Sequence, residues 1–244
     1  MRFRHKVATI AVALVMLAQP TAALAVGTGD DPTPTRNVAT AFDVQVEREY
    51  QAWLLKQRSY GIALEAEPTL VDAPYKYFFT PTHLQETNYY CGPATVQTID
   101  DYWGTPASQQ EIAKYLGTDV THSTDFSLVD NAINKFAGEN YTYVTCTSTS
   151  DVYSRIQYGL LTRGHPAATD VRIDAALWPN YEFNHDGHIV PIEAFDWRYN
   201  KVRINDPYDE AKYRGGGNTS GHKTYSKSVI AAGIMAHPRR AIVY

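Results

Sequence analysis

A mixed α+β fold, with helices in the first half and antiparallel strands in the second, is what the sequence predicts. Three observations predict it. Apolar residues recur at helical spacing in five segments before residue 165, whereas short alternating or continuous apolar stretches dominate after Ala167. Gly or Pro closes most of these segments. No internal repeat is present, so a solenoid or propeller is excluded.

In chain order, Val26 to Thr40 is rich in Gly, Asp, Pro and Thr, has no hydrophobic period, and reads as a flexible linker. Ala41 to Tyr60 places Phe42, Val46, Tyr50, Trp53 and Leu54 on one helical face and ends at Gly61. That stripe must be buried: the helix either belts the domain that follows or belongs to a removable pro-segment. Tyr75 to Thr80 reads as a strand stopped by Pro81. Cys91 opens a helix with Val96, Ile99 and Trp103 on one side and Gly104 at its end. Ser108-Gln109-Gln110-Glu111 is a capping box for a helix closing at Gly117. Ser127 to Gly138 is a further helix with Leu128, Ile133 and Phe136 inward. Tyr141 to Thr147 alternates as a strand around Cys146, and Asp151 to Arg163 is helical up to Gly164 and Pro166. Ala167 to Val171 is a strand. His188 to Phe195 and Lys201 to Asn205 form a hairpin about Tyr199-Asn200. A short helix near Ser226 to Ile234 and a strand from Ala241 to Tyr244 complete the chain.

The amino terminus has its own logic. Arg2, Arg4, His5 and Lys6 precede the apolar run Val7 to Ala18, and Ala23-Leu24-Ala25 offers small residues where a signal peptidase reads them. The run is too short to span about 30 Å of hydrocarbon. Residues 1–25 are therefore expected to be a secretory signal peptide, 26–68 a linker and amphipathic helix, and 69–244 the functional domain of a secreted, extracellular protein. Removing three basic residues and no acid takes the formal charge from −4 to −7. An acidic chain without a basic run excludes a nucleic-acid partner, and no membrane contact is expected after signal removal. Two cysteines in an exported chain would by count alone suggest one disulfide, Cys91 to Cys146.

Local chemistry argues otherwise. A thiol becomes a nucleophile as thiolate, and a helix amino terminus lowers its pKa through the aligned backbone dipoles. Cys91 sits where Tyr90-Cys91-Gly92-Pro93-Ala94 hands a loop to a helix. Gly92 leaves room for a substrate backbone, and the Cys91 amide has no helical partner. Gln85, six residues upstream, can join that amide as a second donor to an oxyanion. His188 begins a buried-looking strand and is the best of the eight histidines for a base. Asp206 ends the return strand. Positions 188 and 206 share parity across one turn, so Asp206 can face the imidazole and orient it.

The stretches Q-E-T-N-Y-Y-C-G-P-A, G-H-I-V-P-I-E-A-F-D and V-R-I-N-D-P resemble the bacteriocin-processing (double-glycine leader) peptidases and their stand-alone relatives, across roughly Tyr75 to Tyr244. The resemblance implies a papain-like fold and a cysteine peptidase acting on a peptide or protein, with Gln85 as oxyanion donor, Cys91 as nucleophile, His188 as base and Asp206 as orienting acid. Pro191 and Glu193 depart from the aliphatic strand usual there, and Pro suits an edge strand or a bulge. The ATP-binding cassette and membrane helices of the transporter-linked members are absent from the chain.

The four residues do not discriminate hydrolysis from amidase or acyltransferase chemistry on cell-wall peptides, and a non-catalytic peptide-binding module is the reading in which Cys91 is inert or disulfide-bonded. No cofactor and no metal is expected: His185 and His188, three apart at a loop-to-strand junction, lack the helical frame and further ligands of a zinc site. Cys146 reads as a small buried hydrophobe, and His83 and His165 as solvent or groove residues.

Overall fold

The computed structural model describes residues 28–33, 38–59, 73–104 and 106–244. The expected signal peptide, the helix end at Tyr60-Gly61 and the expected domain start at 69 lie outside the described residues. The first helix, α1, spans Ala41–Ser59. Its start is closed reciprocally: Thr40 Oγ1 accepts from Asp43 N, and Asp43 Oδ2 accepts from Thr40 N at 2.6 Å. Val46 and Tyr50 are fully buried, with Phe42, Trp53 and Leu54 packed beside them, so the apolar stripe is the docked face. The Tyr50 hydroxyl donates to Asp151 at 2.7 Å, and Arg155 both stacks on the Tyr50 ring and pairs with Glu47.

Three helices pack on one side of the sheet: α2 (Cys91–Tyr102), α3 (Gln109–Leu116) and α4 (Val129–Ala137). The Ser108/Glu111 capping box forms, and Gly117 ends α3 in a left-handed conformation. A 3₁₀ turn, Phe126–Leu128, precedes α4 and resets its phase, so Phe126 is buried and Leu128 is left exposed, contrary to the inward placement expected for it. On the other side lie α1, α5 (Thr149–Gln157), which continues into a π-helical stretch Tyr158–Arg163, and α7 (Lys227–Ala236). A short α6 covers Glu210–Arg214.

The strands are β1 (Tyr75–Tyr77), β2 (Tyr143–Thr145), β3 (Ala167–Ile173), β4 (His185–Asp196), β5 (Lys201–Asp206), β6 (Gly221–Ser226) and β7 (Ala241–Val243). They form one antiparallel sheet in the order β2-β7-β3-β4-β5-β6, with β1 added to β4. Both faces are covered, and the two-residue strand period divides the cores: Ala168, Ile189 and Val243 face α2 to α4, while Val171, Val190 and Ile242 face α1, α5 and α7. The expected strands at 75–80 and 141–147 are shorter than their apolar stretches, and Cys146 lies just beyond β2.

One irregularity matters more than the rest. β4 and β5 pair as Phe195↔Val202 and Ala194↔Arg203, then as Ile192↔Ile204, so Glu193 is an extra residue in β4. The bulge lets Ile192 and Phe195, three apart, reach the same core. Pairing with β5 stops at Ile192, next to Pro191, while β3 continues along the other side. The proline thus sits where β4 has lost one neighbour and needs one amide fewer.

Because Tyr50 is wholly enclosed, Tyr50→Ala should lower stability by about 3–5 kcal/mol. Urea titration followed by circular dichroism should show α1 melting in the same transition as the sheet. A separate early transition for α1 would mean that it is only laid upon a self-sufficient domain.

Candidate active site

The N-cap of α2, Tyr90, makes no side-chain cap, which leaves the first amides of the helix for another acceptor. Cys91 N donates to the Thr28 carbonyl at 3.2 Å. Gln85 Nε2 donates to the same oxygen, also at 3.2 Å, and to Thr87 O at 2.7 Å. The Gln85 backbone is held from both sides: its amide donates to Pro207 O, and its carbonyl accepts from the Tyr213 hydroxyl at 2.6 Å. Two donors from separate segments therefore converge on one carbonyl oxygen, the geometry an oxyanion requires. Gly92 has a different role from the one expected. A Cβ there would collide with the Thr124 side chain, so the glycine admits the 124 loop rather than a substrate.

His188 and Asp206 are brought together, with Nε2 2.8 Å from Asp206 Oδ1 and both side chains fully buried. The carboxylate also accepts from Tyr208 N at 2.9 Å and from the Tyr181 hydroxyl at 2.5 Å. Shared parity alone would not have achieved this. In the register nearest the turn, Asp206 faces the Pro191 side of β4; the extra residue at Glu193 shifts the register by one and turns Asp206 to the side of Val190 and His188.

The other ring nitrogen, His188 Nδ1, lies 2.7 Å from the Thr28 hydroxyl, which donates to Gly187 O at 2.9 Å, while the Thr28 carbonyl accepts from Cys91 N. Thr28 thus stands between Cys91 and His188. The thiol is completely enclosed; burial pushes its pKa well up, and the Asp30 carboxylate adds to that rise. The lowered thiol expected at a helix start is not the state seen here, because desolvation of the thiolate outweighs the helix amides.

The segment that covers the thiol was expected to be a flexible linker, and its residues 28–30 are instead a buried strap, with Asp31 half-buried after them. Thr124 N donates to Gly29 O at 2.6 Å, and Asp31 N donates to Thr124 O at 2.9 Å, a parallel bridge. Arg239 donates to Asp31 O at 2.8 and 3.1 Å. His237 Nε2 lies 2.9 Å from Asp30 Oδ2, and its Nδ1 lies 3.0 Å from Asp170 Oδ2, all fully buried. Burial opposes protonation of this imidazole, but the Asp170 and Asp30 carboxylates beside it outweigh that and raise the pKa to about 9. Both carboxylates lie at ion-pair distance from the ring, but the facing atoms lack hydrogen-bond geometry and Nδ1 is also approached by Arg239 N, so the bridge is one of charge and burial rather than of directed bonds. Sequence reading missed this bridge. A lone Asp30 in a Gly/Pro-rich stretch carries no period, and its partners lie 140 and 207 residues away.

The remaining candidates are structural. His185 pairs with Glu210 Oε1 at 3.0 Å, both fully buried. His165 is buried against Tyr141, and desolvation lowers its pKa to about 4, so it is a core residue rather than a solvent or groove one. His83 pairs with Asp101 at 2.7 Å, half-buried. Cys91 and Cys146 are both free and lie in different cores, so the disulfide suggested by counting does not form.

Residues 75–229 match the model of the Peptidase_C39 like family. The fold is similar to a C39-like peptidase from Bacillus anthracis, at 12% identity and TM-score 0.49, covering 70% of this chain and 97% of that one. It is also similar to a double-glycine-motif protease of an AMS/PCAT transporter, solved with its leader peptide, at 14% identity and TM-score 0.45, covering 69% and 91%. The peptidase domain of Streptococcus ComA, a bifunctional ABC transporter, aligns at 14% identity and TM-score 0.44, covering 70% and 97%. No curated protein matches.

The bridge at His237 has a defined pH signature. Its folded pKa of about 9 exceeds the ordinary 6.5, so its contribution to stability is complete below pH 6.5 and lost as pH rises through 9. The loss should be on the order of 3 kcal/mol. Melting curves from pH 6 to 10 should converge on those of His237→Gln at the alkaline end; parallel curves would show that the ring carries no extra charge in the fold.

Proposed function

The chain belongs to the Peptidase_C39 like family, and on that premise we propose that it is a secreted cysteine peptidase using Cys91, His188, Asp206 and Gln85. The observation that carries this reading is the Thr28 carbonyl oxygen held at 3.2 Å by both Cys91 N and Gln85 Nε2. A peptide carbonyl seated there is the ground state of an acyl transfer, and the same two donors would shorten onto the oxyanion as it forms. In the proposed mechanism the Cys91 sulfur attacks the carbonyl carbon, and His188 Nδ1 takes the thiol proton and passes it to the leaving amine. Asp206, on the far nitrogen, holds the imidazole with Nδ1 toward the thiol and balances its charge when protonated. Water then clears the thioester.

The substrate class in this reading is a peptide or protein. Export is proposed from the basic head, short apolar run and Ala23-Leu24-Ala25 end of the amino terminus.

Cys91→Ala should abolish hydrolysis of a fluorogenic peptide library while the protein melts within a few degrees of the parent; surviving turnover would refute Cys91 as nucleophile. Gln85→Ala should reduce kcat about 100- to 1000-fold with little change in KM. A loss expressed in KM instead would make Gln85 a ground-state binding residue.

A further inference from the structure

The strap that covers the thiol presents its own peptide bond to the site. Thr28 O occupies the two-donor cup, and the next residue, Gly29, has φ +113° and lies so close to the Tyr89 backbone that any Cβ would collide with the Tyr89 carbonyl. Only glycine can follow the carbonyl in this seat. Beyond it the chain is gripped by Thr124, His237 and Arg239, which act on residues 29–31 and not on the thiol. A carbonyl in the oxyanion cup with the following residues clamped downstream is the arrangement of a bound substrate, not of a loop lying across a cleft.

We propose that the Thr28–Gly29 bond is a cleavage site for this chain's own Cys91, and that this self-cleavage opens the site. The inference rests on the peptidase reading above. It also assigns a specificity: the residue after the scissile bond must be glycine. The Cys91 sulfur bonds to the Thr28 carbonyl carbon, and the thiol proton passes to His188 Nδ1. The Thr28–Gly29 C–N bond then breaks, and that proton goes to the Gly29 nitrogen. Water adds to the thioester, its oxygen completing the Thr28 carboxyl group and one of its protons restoring the thiol. The reaction is slow and happens once per chain, because the Thr28 hydroxyl, 2.7 Å from Nδ1, stands in the path of the proton. Rotation of that side chain about Cα–Cβ clears the path without moving the carbonyl. Until cleavage occurs, the enclosed thiol is closed to every other peptide.

The test is intact-mass spectrometry of the full chain, wild type beside Cys91→Ala. The wild type should begin at Gly29, and Cys91→Ala should retain Thr28 and residues upstream of it. Gly29→Ala supplies a second reading: the strap should no longer seat, the 28–29 bond should survive at least tenfold longer, and Cys91 should label with iodoacetamide faster than in uncleaved wild type. A wild-type chain that hydrolyses added peptides yet keeps the 28–29 bond would overturn the self-cleavage alone, as would equal cutting of Cys91→Ala or Gly29→Ala. A wild type that cuts neither itself nor any peptide, with a Gly29→Ala thiol that does not label, would remove the peptidase reading along with it.

Discussion

The extra residue at Glu193 is the constraint on which the site depends. It changes the register of β4 against β5 by one, and so decides which face of the hairpin receives Asp206. The bulge is held open by its own side chain. The Glu193 carboxylate, fully buried, accepts from the Thr80 hydroxyl at 2.8 Å and pairs with Arg203 at 2.6 Å and His222 at 2.7 Å. Its carbonyl accepts from Phe78 N. A buried carboxylate is tolerated only with such partners, and here they come from β5, β6 and the segment after β1. The same cluster reaches Gln85: Asn205 Nδ2 donates to Thr80 O and Pro81 O, pinning the loop that leads to the Gln85 side-chain amide. One irregular residue therefore positions both the imidazole's partner and the loop carrying the amide.

Three histidines in the described residues are fully enclosed against carboxylates: His188 with Asp206, His185 with Glu210, and His237 with Asp30 and Asp170. As pairs they are nearly the same object, and each solves the same problem of a buried imidazole. Only His188 has its second nitrogen on the Thr28 hydroxyl, whose residue also takes the Cys91 amide on its carbonyl. The chemistry proposed for it comes from that neighbour and from the two amides on the Thr28 carbonyl, while the other two pairs serve packing and the anchoring of the strap. Their low-dielectric setting strengthens each attraction and makes each lone charge costly.

Much of the fold was legible because local signals are strong here. The α1 stripe of Val46 and Tyr50, the Ser108/Glu111 capping box, Gly117 and Gly138 at helix ends, and the hairpin turning at Asn200 all depend on neighbours within a few positions. Leu128 was misread because a 3₁₀ turn starts α4 late, and a three-residue phase shift leaves no mark in an apolar pattern. Among the candidate residues, Cys91 and Asp206 could be singled out because they start and end elements with visible boundaries, whereas Gln85, in the loop before α2, and His188, inside β4, were found by their spacing from those boundaries. The strap could not: Thr28, Gly29 and Asp30 have no period, and what gives them meaning is Tyr89, Thr124 and His237, far away in the chain.

By itself the sequence determined the helices, the strands and the residue types available for acyl-transfer chemistry, since propensity, capping and periodicity act over a few residues. Tertiary structure alone decided the rest: the bulge that puts His188 and Asp206 on one face, the burial that raises the pKa of the Cys91 thiol, and the strap whose Thr28 carbonyl meets both the Cys91 and Gln85 amides. Each of these is a balance between desolvation and contacts made across long stretches of chain. Such a balance exists only once the sheet has closed around it.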